Sequence, residues 1–425
     1  MSELTVKEFI DVVHRSRLIE QDQLLAALSD CKNDGTLPES PNQIADYLCG
    51  QGLITKWQQK NLLEGKSRGF FLGTYRLLDH LGTGGMSSVF LAKHGTIDRL
   101  VAIKVLPSSR AEDPAFLGRF DREAIAMSRL SHPNVVRVFD IVEKDGTHFM
   151  VMEYVQGKDL KAIVKDGGPL SLTLAAHYTA QAAAGLQHAH ERGLVHRDVK
   201  PANFVVNENG LLKVLDLGLA RVVDDELASP TMGQSAGMMG TADYMAPEQA
   251  IDARVVDHRA DIYSLGCTLY FFLTGHAPFT EGTIAERIQM HQHQTPRDVR
   301  ADREDCPHAI AHVCMTMLEK DPAKRFQSLN VVSSRLQRWL ASTGFVTSES
   351  TYATKEFVPV MAQLQPSTGH VPSLETTNES QNLVEQRRAR SQPRVKAPLW
   401  LWIVLAVSSL LCIVLLIFLA FRLAA

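Results

Sequence analysis

The spacing of hydrophobic residues changes along this chain of 425 residues, and each change predicts a different kind of structure. In residues 9–28 and 44–63, apolar side chains recur every three to four positions around a central break, which predicts two short helices joined by a turn in each block. The blocks match at an offset of 35 residues, with Leu18 aligned to Leu53. We expect the two halves of this repeat to face one another, because each then buries surface that neither buries alone.

Residues 1–67 are therefore predicted to form an all-α module, and the sequence leaves its role open. One interpretation is an interaction or dimerisation module that binds a partner protein or a second copy of the chain. The other is a passive helical extension that packs on the domain that follows. A DNA-reading helix-turn-helix is disfavoured because Lys and Arg residues are not clustered in the two blocks.

Short runs rich in β-branched and aromatic residues begin at Tyr75, and helical patterns dominate beyond Leu160. Four of these runs, YRLLDHLG, SVFLAKH, VAIKVL and THFMVMEYV, favour a twisted antiparallel sheet. Residues 75–340 are therefore predicted to form an α+β domain. We expect a small β-rich lobe joined to a larger α-helical lobe, with a cleft between them.

Residues 347–398 have the composition of a linker. The stretch 347–386 is rich in Ser, Thr, Gln and Pro and poor in aromatic residues, so it cannot bury enough surface to offset the entropy of ordering. A basic segment follows it. We expect this linker to act as a flexible tether.

Residues 399–421 form an uncharged apolar run, longer than the roughly 20 residues that a helix needs to cross a hydrocarbon core. Trp400 and Trp402 lie at one end, where interfacial aromatic residues are favoured. Five basic residues precede them: Arg387, Arg388, Arg390, Arg394 and Lys396. Because Lys and Arg residues next to a membrane-spanning helix are enriched on the cytoplasmic side, we expect a single-pass membrane protein whose preceding domains are cytoplasmic. Residues 422–425 leave almost nothing for an extracellular ligand to contact, which disfavours a transmembrane receptor.

Composition excludes some classes of function. The net charge of −3 at pH 7 gives no overall field that favours nucleic acid, and no nucleic-acid partner is expected. The six cysteines are scattered without CxxC spacing, which favours buried thiols in a reducing compartment over disulfides or metal ligands. The N-terminus lacks the basic and then apolar pattern of a signal peptide.

Two short motifs carry residues suited to phosphoryl transfer. HRDVKPAN, residues 196–203, contains Asp198 five positions before Asn203, and DLG, residues 216–218, supplies Asp216 after a short hydrophobic hairpin. One carboxylate is predicted to act as a base toward a hydroxyl group. Oxygen atoms of Asn203 and Asp216 suit Mg²⁺, a hard cation that prefers oxygen ligands.

A glycine-rich stretch and a lysine motif precede this site in the order that nucleotide binding requires. LGTGGMSSV lies at residues 81–89 and VAIK at 101–104. Small residues in a hairpin let backbone N–H groups approach phosphates closely, although Ser87 stands where the usual GxGxxG pattern has its third glycine. The predicted ATP-binding residues are Leu81, Gly82, Thr83, Gly84, Gly85, Met86, Ser87, Ser88, Val89 and Lys104.

With these four motifs in this order, residues Tyr75 to Leu340 resemble a eukaryotic-type serine/threonine protein kinase domain. The strings MEYVQGKDL, GTADYMAPEQ and DIYSLGCTLYFFLTGHAPF resemble the eukaryotic-like kinases of bacteria most closely. The resemblance implies the bilobal protein kinase fold. It also implies ATP and Mg²⁺ as cofactors and Ser and Thr side chains of proteins as substrates.

The resemblance implies further roles for residues of the site. Asp198 accepts or orients the proton of the substrate hydroxyl, and Lys200 neutralises charge on the γ-phosphate and accompanies Ser/Thr specificity. Lys104 contacts the α- and β-phosphates and pairs with a helix carboxylate, for which Glu123 is the candidate. Leu217 replaces the usual phenylalanine of the DFG motif.

The adenine site is also implied by the resemblance. Adenine requires an apolar sandwich and backbone hydrogen bonds from the linker between the lobes. Val89, Ala102 and Val205 are expected on the sandwich. Glu153 and Val155 are expected on the linker.

Three residues are expected to be architectural. Glu248 pairs with Arg325, and Asp261 braces the catalytic loop from a central helix. Breaking a buried ion pair costs roughly 3–5 kcal/mol, so losing either member is expected to unfold the site.

Regulation is implied by Arg197, which in this family receives a phosphate from the activation loop, residues 219–244. We expect autophosphorylation at Thr231 or Ser235 and a substrate-binding role for Thr241. A phosphate orders such a loop because it pairs with arginine.

The sequence thus predicts a membrane-anchored serine/threonine protein kinase that uses Mg-ATP. The opposed hypothesis is a catalytically silent scaffold of the same fold at the membrane. Inactive relatives usually lack the lysine, the catalytic aspartate or the metal aspartate. Lys104, Asp198 and Asp216 are all present, which favours the enzyme.

Overall fold

The computed structural model of the chain describes residues 4–33, 40–84, 87–107, 113–217, 242–252 and 256–345. All of them belong to the first of two compact units, residues 1–366, and the second unit is residues 367–425. Within the described ranges, no helix is both long and apolar enough to cross a bilayer. The predicted linker and the predicted membrane-spanning segment, residues 399–421, lie outside the described residues.

Four helices precede the first strand, two in each of the repeated blocks. The first and the fourth begin with the same capping box, in which a threonine hydroxyl and the side chain three residues later satisfy each other's backbone N–H groups. Thr5 pairs with Glu8 in one box, and Thr55 pairs with Gln58 in the other. The helices are α1 (Val6–Ser16), α2 (Gln21–Asn33), α3 (Pro41–Gly50) and α4 (Lys56–Leu63).

The apolar faces of these helices meet in a core of their own. Phe9, Ile44, Leu48 and Leu62 are fully or almost fully buried there. Phe70, from the segment that follows α4, completes this core. That the helices act as a separate interaction or dimerisation module stays a prediction.

The β-rich lobe is an antiparallel sheet of six strands in the order β1-β2-β3-β4-β6-β5. Four of its strands coincide with the four sequence runs. The longer of the other two, β5, carries a register shift between Val138 and Asp140. The strands are β1 (Phe71–Leu72), β2 (Tyr75–Gly84), β3 (Ser87–His94), β4 (Leu100–Val105), β5 (Val138–Lys144) and β6 (Thr147–Glu153), and helix α5 (Pro114–Ser128) lies between β4 and β5 in the chain.

The second lobe is built around one helix that is buried on all sides. Every residue from 260 to 273 of α8 is buried, as expected for a helix that is apolar all round. The helix α7 packs against it and against the last helix, α12. The helices are α6 (Leu160–Gly167), α7 (Leu172–His190), α8 (Arg259–Thr274), α9 (Ile284–His293), α10 (Val299–Asp302), α11 (His308–Met317) and α12 (Leu329–Ser342).

The larger lobe also holds a three-stranded sheet, which the simple expectation of a helical lobe did not include. Its strands are β7 (Gly157–Asp159), β8 (Phe204–Asn207) and β9 (Leu212–Val214). The β8–β9 hairpin is the short hydrophobic hairpin predicted between the two chemical motifs. The expected α+β, bilobal architecture is confirmed. In the chain, β7 follows the linker between the lobes, and β8 and β9 connect the two chemical motifs.

Helix α4 covers the outer edge of the β-rich lobe. The strand β1 pairs with only the first two residues of β2, so carbonyl groups further along that edge need other partners. Gln58 Nε2 donates to the carbonyl oxygen of Leu77 at 2.6 Å, and Thr55 Oγ1 donates to that of Leu78 at 2.5 Å. The open edge of the sheet is therefore closed by side chains of a helix.

An aromatic cluster and one arginine extend this contact. The ring of Trp57 lies edge-on to Phe70 at 5.9 Å and to Phe90 of β3 at 5.7 Å. Arg76 of β2 donates from Nη2 to the carbonyl oxygen of Leu53 at 2.8 Å. The packed-extension interpretation thus has a physical basis, while binding of a partner remains untested.

The contact predicts a measurable role for Gln58. The substitution Gln58→Leu keeps the side-chain volume but leaves the carbonyl of Leu77 and the N–H of Thr55 without partners, because Gln58 bonds both. We expect the free energy of unfolding, measured by urea titration with tryptophan fluorescence, to fall by about 1–3 kcal/mol.

The matched control is Gln51→Leu, the same change at an exposed position. Its effect is expected to stay within about 0.5 kcal/mol. Equal unfolding midpoints for the two variants would show that the contact between α4 and β2 does not stabilise the protein.

Candidate active site

The segment that carries the HRDVKPAN motif lies between α7 and β8 and is held by a buried carboxylate from α8. Asp261 Oδ2 accepts the backbone N–H of His196 and Oδ1 accepts that of Arg197, both at 2.8 Å. Arg197 has a φ of 64°, a left-handed conformation that a non-glycine residue keeps only when its surroundings enforce it. The bracing role predicted for Asp261 is therefore present in the contacts.

A histidine of the motif links this segment to the one that follows β9. The ring of His196 is buried, and its Nδ1 accepts the backbone N–H of Asp198 at 3.3 Å. The proton therefore resides on Nε2, which donates to the carbonyl oxygen of Leu215 at 2.9 Å. Sequence reasoning gave His196 no role, although its place in the motif was a signal.

Asp198, Lys200 and Asn203 form one contact cluster. Lys200 Nζ lies 2.8 Å from Asp198 Oδ2. Asn203 Nδ2 donates to the same carboxylate oxygen at 3.1 Å and to the backbone oxygen of Asp198 at 2.7 Å. The predicted base is thus flanked by a cation and oriented by an amide.

Lys104 and Asp216 form an ion pair between the two lobes. Lys104 Nζ, from β4, lies 2.7 Å from Asp216 Oδ1. Asp216 has a φ of 53°, so the backbone turns sharply where β9 has ended. Burial alone would raise the pKa of Asp216, but the charge and hydrogen bond of Lys104, with the charge of Lys200, hold this pKa below its ordinary value.

Glu123 lies on α5, the helix between β4 and β5 in the chain. The Glu123 side chain is not among those that the structure describes, so its pairing with Lys104 stays a prediction. The described partner of Lys104 is Asp216.

The glycine-rich stretch forms the hairpin between β2 and β3, with Gly84 opposite Ser87. A side chain at Gly82 would meet no atom within 4 Å, so the space above this strand is open. Thr83 Oγ1 lies 2.9 Å from His80 Nε2. Gly85 and Met86, at the tip, lie outside the described residues. Three more predicted residues lie on the same hairpin: Leu81, Ser88 and Val89.

The predicted adenine residues come from four elements. Ala102 is buried in β4, and Val89 lies next to Lys104 in the β3–β4 register. Val205 lies on β8, and Val155 lies two residues after the end of β6. These positions agree with a site between the lobes, but their contact with adenine stays a prediction.

Glu153, at the end of β6, makes a contact that the sequence did not reveal. Its carboxylate lies 2.9 Å from Lys213 Nζ of β9 and accepts the backbone N–H of Arg137 at 3.2 Å. The linker between the lobes is therefore joined by an ion pair to the small sheet.

The predicted pair of Glu248 and Arg325 is present and bidentate. Arg325 Nη1 and Nη2 donate to the two carboxylate oxygens of Glu248 at 2.6 and 2.8 Å. The guanidinium also donates to three backbone carbonyls and stacks 4.9 Å from the ring of Tyr263. This pair fixes the chain after the activation loop to the end of the larger lobe.

Gln249 is a further residue that sequence reasoning missed. Its Nε2 donates to the carbonyl oxygen of Arg197 at 2.8 Å, and its Oε1 accepts the N–H of Ala246 at 3.0 Å. It therefore connects the segment that carries the HRDVKPAN motif to the APE motif, residues 246–248. The only sequence signal was its place directly after that motif.

The regulatory residues are mostly outside the described part of the chain. Thr231, Ser235 and Thr241 all lie there, so no contact tests their roles. Arg197 is described, and both its backbone N–H and its carbonyl are bonded, to Asp261 and Gln249.

Asp261 predicts a pH-dependent stability. Burial raises the pKa of Asp261, but the hydrogen bond and charge of His190 and the backbone N–H of His196 outweigh this and hold the pKa below the ordinary value of 3.8. A folded pKa below the unfolded one stabilises the protein above the unfolded pKa, and this stabilisation is lost as the pH falls through the folded pKa. Asp261→Asn is expected to lower the free energy of unfolding at pH 7 by roughly 2–4 kcal/mol.

The difference between the wild type and Asp261→Asn should shrink as urea titrations are repeated at falling pH. Asp145→Asn, in an exposed turn that asparagine tolerates, is the matched control and should track the wild type. A gap that stays constant down to strongly acidic pH would contradict the ionised role of Asp261.

Comparison with known proteins places this geometry in a family. The protein kinase domain model matches residues 75–336. A probable serine/threonine-protein kinase of Clostridium perfringens is 35% identical over 308 residues, which cover 72% of this chain and 43% of that protein. The serine/threonine-protein kinase PknB of Mycobacterium tuberculosis is 40% identical over 268 residues, covering 62% of this chain and 42% of that protein. The chain thus spans less than half the length of these curated relatives.

The fold is similar to a solved structure as well. The crystal structure of the PknI kinase domain of Mycobacterium tuberculosis matches with a TM-score of 0.50 and 29% identity, over 64% of this chain and 97% of that one. The family model spans more than half of the 425 residues, and it includes the glycine-rich stretch and the VAIK, HRDVKPAN and DLG motifs. Through residues 75–336, this chain belongs to the eukaryotic-type serine/threonine protein kinase family.

Proposed function

We propose that this protein transfers the γ-phosphate of Mg-ATP to Ser and Thr hydroxyl groups of proteins. The observation that carries the proposal is the convergence of two contact clusters in one cleft. Lys104 meets Asp216 at 2.7 Å, and Asp198 meets both Lys200 and Asn203 within 3.1 Å. The family supplies the reaction class, and these contacts supply the residues.

Asp198 is the proposed base. Its carboxylate is fixed by Asn203 and by the backbone contact to His196, so it is oriented before a substrate arrives. A substrate hydroxyl within hydrogen-bond reach of Asp198 passes its proton to the carboxylate as its oxygen attacks the γ-phosphorus. The bond from this phosphorus to the oxygen that bridges to the β-phosphate breaks, and ADP is the leaving group. Lys200, 2.8 Å from the same carboxylate, stands where it also offsets charge on the transferred phosphoryl group.

The residues fit a divalent cation. Asn203 uses its Nδ2 for Asp198, and within the described residues its Oδ1 has no hydrogen-bond donor. Asp216 likewise bonds Lys104 through Oδ1, which leaves Oδ2 without a described partner. When bound, Mg²⁺ supplies charge neutralisation for the phosphate oxygens. Asn203 and Asp216 are the residues proposed to hold it.

ATP is proposed to bind between the hairpin of β2 and β3 and the small sheet of the larger lobe. Backbone N–H groups from Gly82 to Val89 approach the phosphates, and Lys104 contacts the α- and β-phosphates. Val89, Ala102 and Val205 enclose adenine, and the backbone of Glu153 and Val155 hydrogen-bonds its edge. Glu123 is proposed to hold Lys104 in the active state.

Regulation by autophosphorylation of the activation loop is part of the proposal. Thr231 and Ser235 are the proposed acceptors, Thr241 is proposed to shape substrate binding, and Arg197 is the proposed phosphate receiver. A phosphate carries about −1.5 to −2 charges and orders a loop by pairing with an arginine.

A membrane tether completes the proposal. The apolar run at residues 399–421 and the basic residues before it support a single-pass anchor with the kinase domain in the cytoplasm. The proposed partners are then protein substrates near the membrane. A second copy of the chain or another protein is the proposed partner of the N-terminal helices.

The proposal predicts that Lys104→Met and Asp198→Asn each lower phosphate transfer at least about 100-fold while the chain stays folded. Transfer from labelled ATP to a generic basic protein measures this, with circular dichroism as the check of folding. EDTA should abolish transfer and added Mg²⁺ should restore it. Mass spectrometry of the wild type should find phosphate on the activation loop that is missing from both variants.

Exposed positions provide matched controls. Lys324→Met and Asp145→Asn repeat the two changes away from the cleft and should keep full activity. Retained activity in Lys104→Met or Asp198→Asn would overturn the assigned roles. No transfer by the wild type under any of these conditions would favour a silent scaffold.

The tether predicts the outcome of cell fractionation. The full chain should sediment with membranes, and a variant that lacks residues 399–421 should become soluble. Deleting an equal length of the linker, residues 358–380, is the control and should leave the protein with the membranes. A full chain found in the soluble fraction would show that the apolar run is not an anchor.

A further inference from the structure

Three arginines surround one cavity beside the N-terminal helices. The cavity has a volume of about 570 Å³ and lies between the end of α1 and the segment that joins α4 to β1. Its size is within the roughly 300–1,000 Å³ that is usual for ligand sites. Arg15, Arg17 and Arg68 line it, together with the hydroxyl-bearing Ser67 and the ring of Phe71.

Two distant parts of the sequence supply these arginines. Arg15 lies in the last turn of α1, and Arg17 ends that helix in a left-handed conformation with a φ of 57°. Arg68 comes from the segment after α4. The buried ring of Phe70, next to Arg68, packs in the core of the helices and fixes that segment beside α1.

Two of the three arginines at the cavity have no side-chain partner among the described residues. Asp11 pairs with Arg15 at 3.0 Å. In the described part of the chain, the guanidinium groups of Arg17 and Arg68 make no hydrogen bond or ion pair. Two guanidinium forks therefore remain available to a ligand.

Further hydrogen-bond donors belong to the residues that line the cavity. Ser16 is satisfied, because its hydroxyl donates to the carbonyl of Val13 and accepts the N–H of Leu18. Among the described contacts, the hydroxyl of Ser67 and the backbone N–H groups of Ser67, Arg68 and Gly69 have no partner. Two cations and a row of unused donors form a site for a compact anion with several acceptor oxygens.

We propose that this cavity binds a phosphoserine or phosphothreonine side chain of a protein. A phosphate monoester carries nearly two negative charges and three acceptor oxygens, which match two arginine forks and the neighbouring N–H groups. The site is concave, so it accepts a group that projects from a chain. The ring of Phe71, 42% exposed at the rim, offers apolar surface to the residues on either side of the phosphorylated one.

The proposal goes beyond phosphoryl transfer, because binding needs no chemistry at the cleft. It links the two functions in one respect: a phosphorylated protein is the product class of a serine/threonine kinase. The N-terminal helices would then retain phosphorylated partners next to the enzyme.

The test uses the full chain in detergent micelles with Lys104→Met, so that neither the protein nor the probe becomes phosphorylated. The probe is a fluorescent peptide library with a central phosphothreonine, and the reference is the same library with threonine. Fluorescence anisotropy should show at least about tenfold tighter binding of the phosphorylated library. Arg17→Gln and Arg68→Gln should each weaken it roughly tenfold.

Arg338→Gln is the matched control, since it removes the same charge from an exposed arginine on α12 and should not change binding. Arg17→Lys keeps the charge but loses the fork and should lie between the wild type and Arg17→Gln. Circular dichroism of every variant should match the wild type, because these side chains are exposed.

Equal binding of the two libraries would overturn the proposal, as would a loss of binding in Arg338→Gln equal to that in Arg17→Gln. A soluble short-chain phosphoinositide serves as a second probe. If it binds through Arg17 and Arg68 while the phosphorylated library does not, the occupant is a lipid headgroup and the proposal is wrong. Kinase activity of the wild type is measured separately, so failure of one proposal leaves the other intact.

Discussion

The arrangement of the cleft depends on one buried carboxylate. Asp261 sits in the fully buried helix α8 and accepts the N–H groups of two successive residues of the catalytic segment. Those two bonds force Arg197 into a left-handed conformation, which in turn directs Asp198 toward Lys200 and Asn203. A side chain in the centre of the larger lobe therefore sets the direction of a carboxylate at its surface. Hydrogen bonds to an ionised acceptor are strong enough to maintain a backbone conformation that costs about 1–3 kcal/mol.

Several smaller contacts extend this organisation outward. His196 connects the catalytic segment to the residue before Asp216, and Gln249 connects it to the APE motif. Asp216 then meets Lys104 of the other lobe, and Glu153 meets Lys213 at the linker. The cleft is thus bounded on each side by a charge pair between segments that are far apart in sequence. Such pairs are weak individually when exposed, but these are partly buried and share one framework.

The sequence anticipated the pair of Glu248 and Arg325 and the brace from Asp261, but it missed other contacts around the site. Asp198, Asn203 and Asp216 stand in short strings whose spacing is dictated by chemistry, so their proximity followed from the motifs. The strand β5 was not among the four runs named from the sequence, and its residues 138–144 do not alternate between apolar and polar side chains. The contacts of Gln58 with Leu77 and of Glu153 with Lys213 join residues with no common local pattern, and only tertiary packing brings them together. The same is true of Arg17 and Arg68, which look like ordinary surface charges in the sequence.

The closed edge of the β-rich lobe has a mechanical consequence. Because α4 is bonded to the carbonyls of β2 and its tryptophan packs on β3, the N-terminal helices are attached to both strands that form the glycine-rich hairpin. In a hinge movement of one lobe against the other, these helices would move together with the glycine-rich hairpin. A protein bound to these helices would therefore change its position relative to the larger lobe whenever the lobes move.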